Sequence, residues 1–169
     1  MIIFVLDSDG LIKLVKASII EALLKDFSCF ISKEVYEEVV MEGKKRLYED
    51  SFAIESLVGK KMLKVKEIKK DKKASKILKD IFELGKGERS TLYLFFNLKA
   101  DAIISDDNAF LKVLKANKIP FIIPSDIISR LVELKLINKE LGIKALNAIE
   151  HYIRRENYSM AKKVVEGAS

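Results

Sequence analysis

Residues 85–110, GKGERSTLYLFFNLKADAIISDDNAF, contain the most informative pattern for predicting the fold. Glu88 begins a predicted helix whose apolar residues recur at helical spacing, and this helix leads into a short apolar strand over 102–104. The strand ends in a polar, acidic turn, and a second helix is predicted over 108–117. The turn consists of Ser105, Asp106 and Asp107. A strand that lies between two helices and ends in acids is typical of an α/β domain with parallel strands.

The rest of the chain repeats this alternation of short apolar strands and amphipathic helices. Five strands are predicted, at residues 2–6, 28–31, 62–68, 102–104 and 120–123. The other predicted helices occupy 11–24, a segment that starts at Ser32, 44–58, 77–84, 126–136 and 138–152. Strands joined by helices favour a mainly parallel sheet of about five strands with right-handed crossovers. We expect one domain over 1–153 and a polar C-terminal tail over 154–169 that frays.

Composition excludes several kinds of site. The 169-residue chain is 49% hydrophobic, which is enough for a core, but no apolar run approaches the roughly 18 residues that cross a bilayer. The single cysteine, Cys29, cannot form an intrachain disulfide, and the single histidine, His151, excludes catalysis by paired histidines. Neither a secretory signal nor a phosphate-binding glycine loop occurs. We therefore expect a cytoplasmic protein without a membrane partner, whose chemistry depends on carboxylates.

Positive charge is concentrated in one segment. The formal net charge is +6, and residues 60–80 hold ten lysines and three acids, a balance of +7, so the remainder sums to −1 (+6 minus +7). Such a segment attracts the phosphates of RNA, or it is a solvated lysine-rich helix. Both interpretations stay open, because no aromatic residues are interleaved with the lysines to stack on bases. The lysines that we expect to contact RNA are Lys69, Lys70, Lys72 and Lys73.

Acidic residues fall at the positions where parallel sheets bind ligands. Asp7 follows the first strand, and Asp106 and Asp107 follow the fourth, so both groups lie at the carboxyl edge of the sheet. Glu38 and Glu88, near the starts of two helices, can face the same crevice. Taken singly, each acid has a structural alternative, such as capping a helix or lying on a solvated face. Together they suit Mg²⁺ or Mn²⁺, because a hard cation offsets the mutual repulsion of several carboxylates.

At these residues the sequence resembles the PIN-domain family of metal-dependent nucleases, which includes the VapC-type toxin ribonucleases. The resemblance covers about residues 1–137 and points to a branch of the family with Gly-Glu at the third acid. Its segments are IIFVLDSDGLIKL at 2–14, the S-x-x-x-x-x-E segment from Ser32 to Glu38, the stretch at 85–110, and KANKIPFIIPSDIISRLVELKLI at 115–137. The resemblance implies a PIN-like three-layer α/β/α fold and hydrolysis of RNA with Mg²⁺ or Mn²⁺.

The same resemblance assigns roles to individual residues. It implies that four acids bind the metal and carry catalysis, that a neighbouring aspartate is an alternative ligand, and that a serine orients the acids. The four acids are Asp7, Glu38, Glu88 and Asp107, the alternative ligand is Asp106, and the orienting residue is Ser105.

These features predict a metal-dependent endoribonuclease that hydrolyses RNA phosphodiester bonds and, as a finer expectation, a toxin of a toxin–antitoxin pair. The expected partners are single-stranded or structured RNA, an antitoxin-like protein, and a second copy of the chain. The copies would pack through the aliphatic helices after residue 125, unless those helices cover the sheet. The alternative is a catalytically inactive PIN-like module that binds RNA or protein. For such a module, neutralising Asp7 should leave the affinity for the partner unchanged.

Overall fold

The computed structural model describes residues 1–168 and contains one sheet of five parallel strands. The strands are β1 Ile3–Leu6, β2 Ser28–Ser32, β3 Lys64–Lys66, β4 Ala102–Ile104 and β5 Phe121–Ile122. They lie in the order β3-β2-β1-β4-β5, so the chain fills one half of the sheet before it crosses β1 to fill the other. Each strand overlaps one that the sequence predicts, which confirms the parallel α/β sheet.

Helices connect the strands and continue after the last one. The α-helices are α1 Ser8–Lys16, α2 Ile20–Asp26, α3 Lys33–Tyr36, α4 Gly43–Lys45, α5 Glu49–Gly59, α6 Lys72–Leu78, α7 Lys86–Leu98, α8 Asn108–Ala116, α9 Pro124–Glu133, α10 Lys139–Ile149 and α11 Arg155–Gly167. A π-helix, Glu37–Glu42, separates α3 from α4, and a 3-10 turn, Glu150–Tyr152, follows α10. Within residues 1–168, no helix has the length and apolar character that crossing a bilayer requires.

Helices cover both faces of the sheet, so the molecule has three layers. In β1, Phe4 and Leu6 point into one hydrophobic core and Val5 points into the other, as the two-residue period of a strand requires. The first core includes buried residues of α1, α2, α5 and α9 to α11, and the second includes those of α6, α7 and α8. The expected three-layer α/β/α architecture is confirmed.

The order of the strands reverses at β1, which lies between β2 and β4. Leu6 pairs with Ile104, and the Asp7 amide then donates a hydrogen bond to the Ile104 carbonyl at 3.2 Å. The helices that follow β1 and β4 pack on opposite faces of the sheet, so the two segments diverge and open a crevice at its carboxyl edge. Asp7 and Ser105, the first residues after these strands, meet at this crevice.

Two predicted helices are divided by turns that the apolar pattern does not reveal. The helical spacing over 11–24 is interrupted at Ser18, which has a left-handed φ of 56°, so α1 and α2 are separate helices. Leu47, with a φ of 58°, makes a similar turn, and α5 therefore starts at Glu49 rather than at residue 44. Both residues adopt a conformation that side chains disfavour, so local propensity alone does not place these breaks.

The helix predicted over 77–84 is wrong in its extent, because α6 already ends at Leu78. The Arg89 guanidinium donates hydrogen bonds to the carbonyls of Leu78 and Ile81 at 3.3 and 2.6 Å. These carbonyls therefore have a side-chain partner in place of another helical turn. As a result, Phe82 is 89% exposed rather than part of an apolar stripe.

The C-terminal segment forms a helix rather than the frayed tail expected over 154–169. Within the described residues, α11 packs on α9 and α10, and Ala161 and Val165 are 2% and 0% exposed. Most other residues of α11 are polar or charged, so two buried positions four residues apart gave too sparse a pattern to predict it. Ile128 of α9 is buried in the same core, so α9 covers the sheet. Ser169 lies outside the described residues.

Candidate functional site

Asp7 is a buried carboxylate at the carboxyl end of β1, only 1% exposed. Its Oδ1 accepts a hydrogen bond from the Gly10 amide at 2.7 Å, which caps α1, and its Oδ2 accepts one from the Ser105 hydroxyl. Burial raises the pKa of Asp7 from 3.8 to about 8, although the two hydrogen bonds lower it. The negative charges of Asp9 and Glu88 raise the pKa further. At neutral pH the carboxyl therefore keeps its proton unless a positive charge lies beside it.

The start of α7 lies against the carboxylate of Glu38, which belongs to the π-helix. Glu88 lies in the first turn of α7. A Cβ at Gly87 would lie 2.8 Å from Oε2 of Glu38, so a glycine at this position leaves room for the Glu38 carboxylate. The Gly87 carbonyl accepts a hydrogen bond from the Ser90 hydroxyl at 2.8 Å, and Ser90 is 2.6 Å from the hydroxyl of Ser32. These buried hydroxyl groups tie the start of α7 to the start of α3.

The π-helix carries Glu38 toward the crevice. Oε2 of Glu38 accepts a hydrogen bond from the Ser8 hydroxyl at 2.6 Å, which connects the π-helix to α1. Segments of π-helix are rare and often occur at functional sites. Glu34, one turn earlier in α3, has a buried Oε2 that lacks a hydrogen-bond partner among the described residues. The sequence predicts a helix from Ser32, but not the change of its period.

The two aspartates after β4 have different surroundings. Asp107 caps α8, where its Oδ1 accepts a hydrogen bond from the Phe110 amide at 2.7 Å. Asp106 instead forms an ion pair with Lys13, with 2.8 Å between Oδ2 and Nζ, and its side chain is 5% exposed. Lys13 also pairs with Asp9 at 2.8 Å. Oδ2 of Asp106 is therefore held by a lysine, while its buried Oδ1 lacks a hydrogen-bond partner among the described residues.

Three of the four predicted acids line one cleft at the carboxyl edge of the sheet, which we call the acidic cleft. It has a volume of about 480 Å³. The acids that line it are Glu34, Glu37, Glu38, Glu42, Glu83, Glu88 and Asp107. Lys86 is the one basic residue of its lining within residues 1–168. Asp7 is buried beside the acidic cleft, close enough for the charge of Glu88 to affect its pKa.

Four acids of the acidic cleft, Glu34, Glu37, Glu42 and Glu83, were not predicted from the sequence. Glu34 and Glu42 lie four residues on either side of Glu38, and this helical spacing was a signal that could have identified them. Glu37 also lines the acidic cleft, because a π-helix has more residues per turn than an α-helix. Glu83 does so because α6 ends early and leaves an irregular segment. The positions of Glu37 and Glu83 thus depend on backbone features that the apolar pattern does not predict.

The donor groups of the acidic cleft fit a hard divalent cation. They are carboxylate oxygens, which Mg²⁺ and Mn²⁺ prefer. Among residues 1–168, the buried Oε2 of Glu34 has no hydrogen-bond partner, and the hydrogen bonds of Glu38 and Asp107 involve one oxygen of each carboxylate. As the side chains stand, no three His, Cys, Asp or Glu residues within 1–168 converge closely enough to enclose an ion. A cation would have to draw the carboxylates together against their mutual repulsion.

The four lysines predicted to contact RNA lie outside the acidic cleft. All are exposed, and within residues 1–168 none forms an ion pair with an acid. They are Lys69 and Lys70, which precede α6, and Lys72 and Lys73, which begin it. The main chain of Lys69 exchanges hydrogen bonds of 2.7 and 3.1 Å with the Asn97 side chain, at the end of α7 remote from the cleft.

Comparison with known proteins agrees with the fold. A family model described as a PIN domain matches residues 3–167, a span that includes all five strands and α11. No curated protein and no solved structure gives a significant match to the chain. The family match confirms the resemblance drawn from the sequence. The chain belongs to the PIN-domain family.

Proposed function

We propose that this protein is a metal-dependent endoribonuclease that hydrolyses RNA phosphodiester bonds. The observation that carries the proposal is the acidic cleft, which gathers acids from separate segments at the crevice where parallel α/β sheets bind ligands. So many carboxylates at one place repel one another unless a cation offsets their charge. PIN domains are generally nucleases, and this supports a phosphodiester as the substrate.

In this proposal, Mg²⁺ or Mn²⁺ is held by Asp7, Glu38, Glu88 and Asp107. When bound, the ion lowers the pKa of a water and stabilises the negative charge on the attacked phosphate. Ser105 and Ser8 fix one oxygen each of Asp7 and Glu38, so both carboxylates are oriented before a substrate arrives. Asp107 is the proposed ligand rather than Asp106, because Asp107 lines the acidic cleft, whereas Asp106 is outside the lining that the described residues form and is paired with Lys13.

The metal site is tested by calorimetric titration of Mn²⁺ into wild type, Asp7→Asn and a matched control. Glu150→Gln is the control, because Glu150 is an exposed acid on the turn after α10. We expect the wild type and Glu150→Gln to bind Mn²⁺ equally, and Asp7→Asn to lose at least about tenfold in affinity, or about 1.4 kcal/mol. Equal binding by Asp7→Asn would show that the ion sits elsewhere.

The reaction is tested separately with labelled RNA. Wild type should cleave it when Mn²⁺ or Mg²⁺ is present, whereas wild type with EDTA and Asp7→Asn with metal should not. Cleavage that persists in EDTA would contradict a metal-dependent mechanism. A wild type that binds Mn²⁺ but leaves every RNA intact would contradict the nuclease assignment.

A second candidate is a PIN-like module that binds RNA or protein without cleaving it. It is favoured by the separation of the carboxylates, since no three of them converge within residues 1–168. It is also favoured by Asp7, whose hydrogen bond to the Gly10 amide stabilises α1 without a metal. This module would bind its partner equally well with and without Mn²⁺. Its Asp7→Asn variant would bind the partner as well as the wild type does. Gel-shift titrations of both proteins with RNA distinguish the candidates.

The proposal extends to the biological setting. A toxin of a toxin–antitoxin pair would act in the cytoplasm and be neutralised by an antitoxin-like protein, and the resemblance to VapC-type ribonucleases supports this role. Induced expression of the wild type should then arrest the growth of a host cell, whereas Asp7→Asn should not. Normal growth at equal protein levels would contradict the toxin role.

A homodimer is a further part of the proposal. Met160 and Val164 on α11 are 68% and 41% exposed, and a second copy would cover them. Light scattering of wild type and of Met160→Lys tests this, because a charge in the centre of an apolar interface should favour the monomer. A monomeric wild type would exclude this interface.

A further inference from the structure

One aromatic side chain is exposed next to the acidic cleft. Phe82 is 89% exposed, in the segment between α6 and α7. The three residues that follow it, 83–85, all line the acidic cleft, so Phe82 adjoins its mouth. Leu84, two residues later, is 6% exposed. This segment therefore buries one apolar side chain in the core and presents another to solvent beside a charged cleft.

The lysine-rich segment before Phe82 runs along α7 toward the acidic cleft. At its far end, the Lys69 amide donates a hydrogen bond to the Asn97 side chain at 2.7 Å. At its near end, the Leu78 carbonyl accepts a hydrogen bond from the Arg89 guanidinium at 3.3 Å. Between Asn97 and Arg89, α7 rises about 12 Å. The segment is therefore antiparallel to α7 and covers this distance up to the mouth of the cleft.

Six exposed lysines lie along this segment, and we call them the lysine track. They are Lys69, Lys70, Lys72, Lys73, Lys76 and Lys79. Within residues 1–168, none of them forms an ion pair with an acid. Asp71 lies among them, but its Oδ1 caps α6 by accepting hydrogen bonds from two backbone amides at 2.8 and 3.0 Å. The lysine track therefore keeps most of its positive charge for a partner.

We propose that single-stranded RNA binds along the lysine track and stacks one base on Phe82 at the mouth of the acidic cleft. The acidic cleft itself repels phosphates, so attraction for RNA has to come from a basic surface outside it. Lysines that follow a backbone, combined with an aromatic platform, are the features that bind single strands without sequence preference. A duplex does not fit this site, because its bases are stacked on each other and cannot offer a face to Phe82.

This inference rests on the proposed ribonuclease and adds the surface of this chain that would hold its RNA, and it is tested without catalysis. The chain contains no tryptophan, so Phe82→Trp gives a single fluorescent reporter at the proposed stacking position. The control is Phe52→Trp on α5, because Phe52 is 50% exposed and its helix belongs to the first core, whereas Phe82 lies between helices of the second. The probes are a 12-nucleotide oligouridine and a self-complementary RNA duplex of equal length, both in EDTA.

The oligouridine should quench the fluorescence of Phe82→Trp and leave that of Phe52→Trp unchanged. The duplex should bind at least tenfold more weakly. By fluorescence anisotropy, Phe82→Ala should lose about tenfold in affinity for the oligouridine, whereas Phe82→Tyr should keep it. Because Phe82 is exposed, these variants should unfold at the same urea concentration as the wild type.

The lysine track is tested by the salt dependence of oligouridine binding. Replacing three of its residues with glutamine should reduce the slope of log K against log salt by about 2, or about 0.7 for each lost contact. The variant is Lys72→Gln with Lys73→Gln and Lys76→Gln. An unchanged slope would remove these lysines from the site.

Four other results would overturn the inference. They are no oligouridine binding at all, binding that leaves the Phe82→Trp fluorescence unchanged, equal affinity for the duplex, and the same quenching by an oligoglutamate peptide. The last result would assign the surface to an acidic protein partner. All these measurements are made without divalent ions, so their outcome does not depend on whether the proposed reaction occurs. RNA that binds as expected but is never cleaved would contradict only the nuclease assignment.

Discussion

Replacing Asp7 with asparagine should make the metal-free protein more stable, by an amount that grows with pH. Burial holds the pKa of Asp7 at about 8 in the folded protein, against 3.8 as the ordinary value that applies to the unfolded chain. Between these two values, the folded state keeps a proton that the unfolded state has released, so rising pH favours unfolding. Asparagine is uncharged at every pH and lacks this penalty.

The magnitude follows from the two pKa values. Each pH unit between 3.8 and about 8 lowers the unfolding free energy of the wild type by up to about 1.4 kcal/mol. From pH 5 to pH 8, the difference between Asp7→Asn and the wild type should therefore grow by about 4 kcal/mol, and then level off. Asparagine also keeps both hydrogen bonds, because its oxygen can accept from the Gly10 amide and its nitrogen can donate to the Ser105 hydroxyl oxygen.

The assay is urea unfolding in EDTA at pH 5, 6.5 and 8, followed by circular dichroism. Subtracting the wild type from Asp7→Asn removes the contributions of all other titrating groups. Asp80→Asn, at an exposed position, is the control and should show no growing difference. Adding Mn²⁺ at pH 8 should stabilise the wild type but not Asp7→Asn, since the ion offsets a charge that only the wild type carries. Parallel pH dependences of the two proteins would contradict this prediction, because Asp7 would then ionise as easily in the folded protein as in the unfolded chain.

Three further substitutions test the geometry around the acidic cleft. Gly87→Ala should lower Mn²⁺ affinity at least about tenfold in calorimetry, because its Cβ would lie 2.8 Å from Oε2 of Glu38. Lys13→Met should lower the unfolding free energy by about 3–5 kcal/mol, since it leaves Asp106 buried without a partner, and adding Asp106→Asn should restore part of the loss. Gly10→Ala should cost about 2–3 kcal/mol, because its Cβ would meet a carbonyl oxygen of β4 at 2.5 Å.

Each of these expectations has its own contrary result. Gly59→Ala is the matched control for Gly10→Ala, because a Cβ at Gly59 meets nothing within 4 Å. If the two variants are equally stable, a side chain at residue 10 does not clash with β4 as expected. If Lys13→Met unfolds at the same urea concentration as the wild type, the ion pair contributes no stability. Unchanged Mn²⁺ affinity in Gly87→Ala would separate Glu38 from the metal site.

The sheet could be predicted from the sequence because its strands are short apolar runs that end at charges or turns. The helix ends were less predictable, since they depend on contacts from elsewhere in the chain. The guanidinium of Arg89 ends α6 by binding the carbonyls of its last residue, Leu78, and of Ile81, and no residue within α6 indicates this. In α11, Ala161 and Val165 are buried only when α9 is in place. Their burial therefore depends on tertiary packing and not on the local sequence.

The candidate site was predictable to the extent that its acids follow strand ends and helix starts. What the sequence does not report is how each acid is held. The pairing of Asp106 with Lys13 joins residues 93 positions apart, and it separates two aspartates that look equivalent in the sequence. The raised pKa of Asp7 likewise depends on burial at the crevice, where Ser105, 98 positions away, contacts it.

The central position of β1 has a consequence for the growing chain during translation. β1 is the first strand to be synthesised, and it can pair with β2 early, yet its other edge has no partner until β4 has emerged. Until then, Asp7 remains in contact with water and ionises as it would in a peptide. The acidic cleft therefore forms late, after the turn at 105–107 has left the ribosome. A chain that ends before this turn would therefore lack the acidic cleft, because Asp107 is part of its lining.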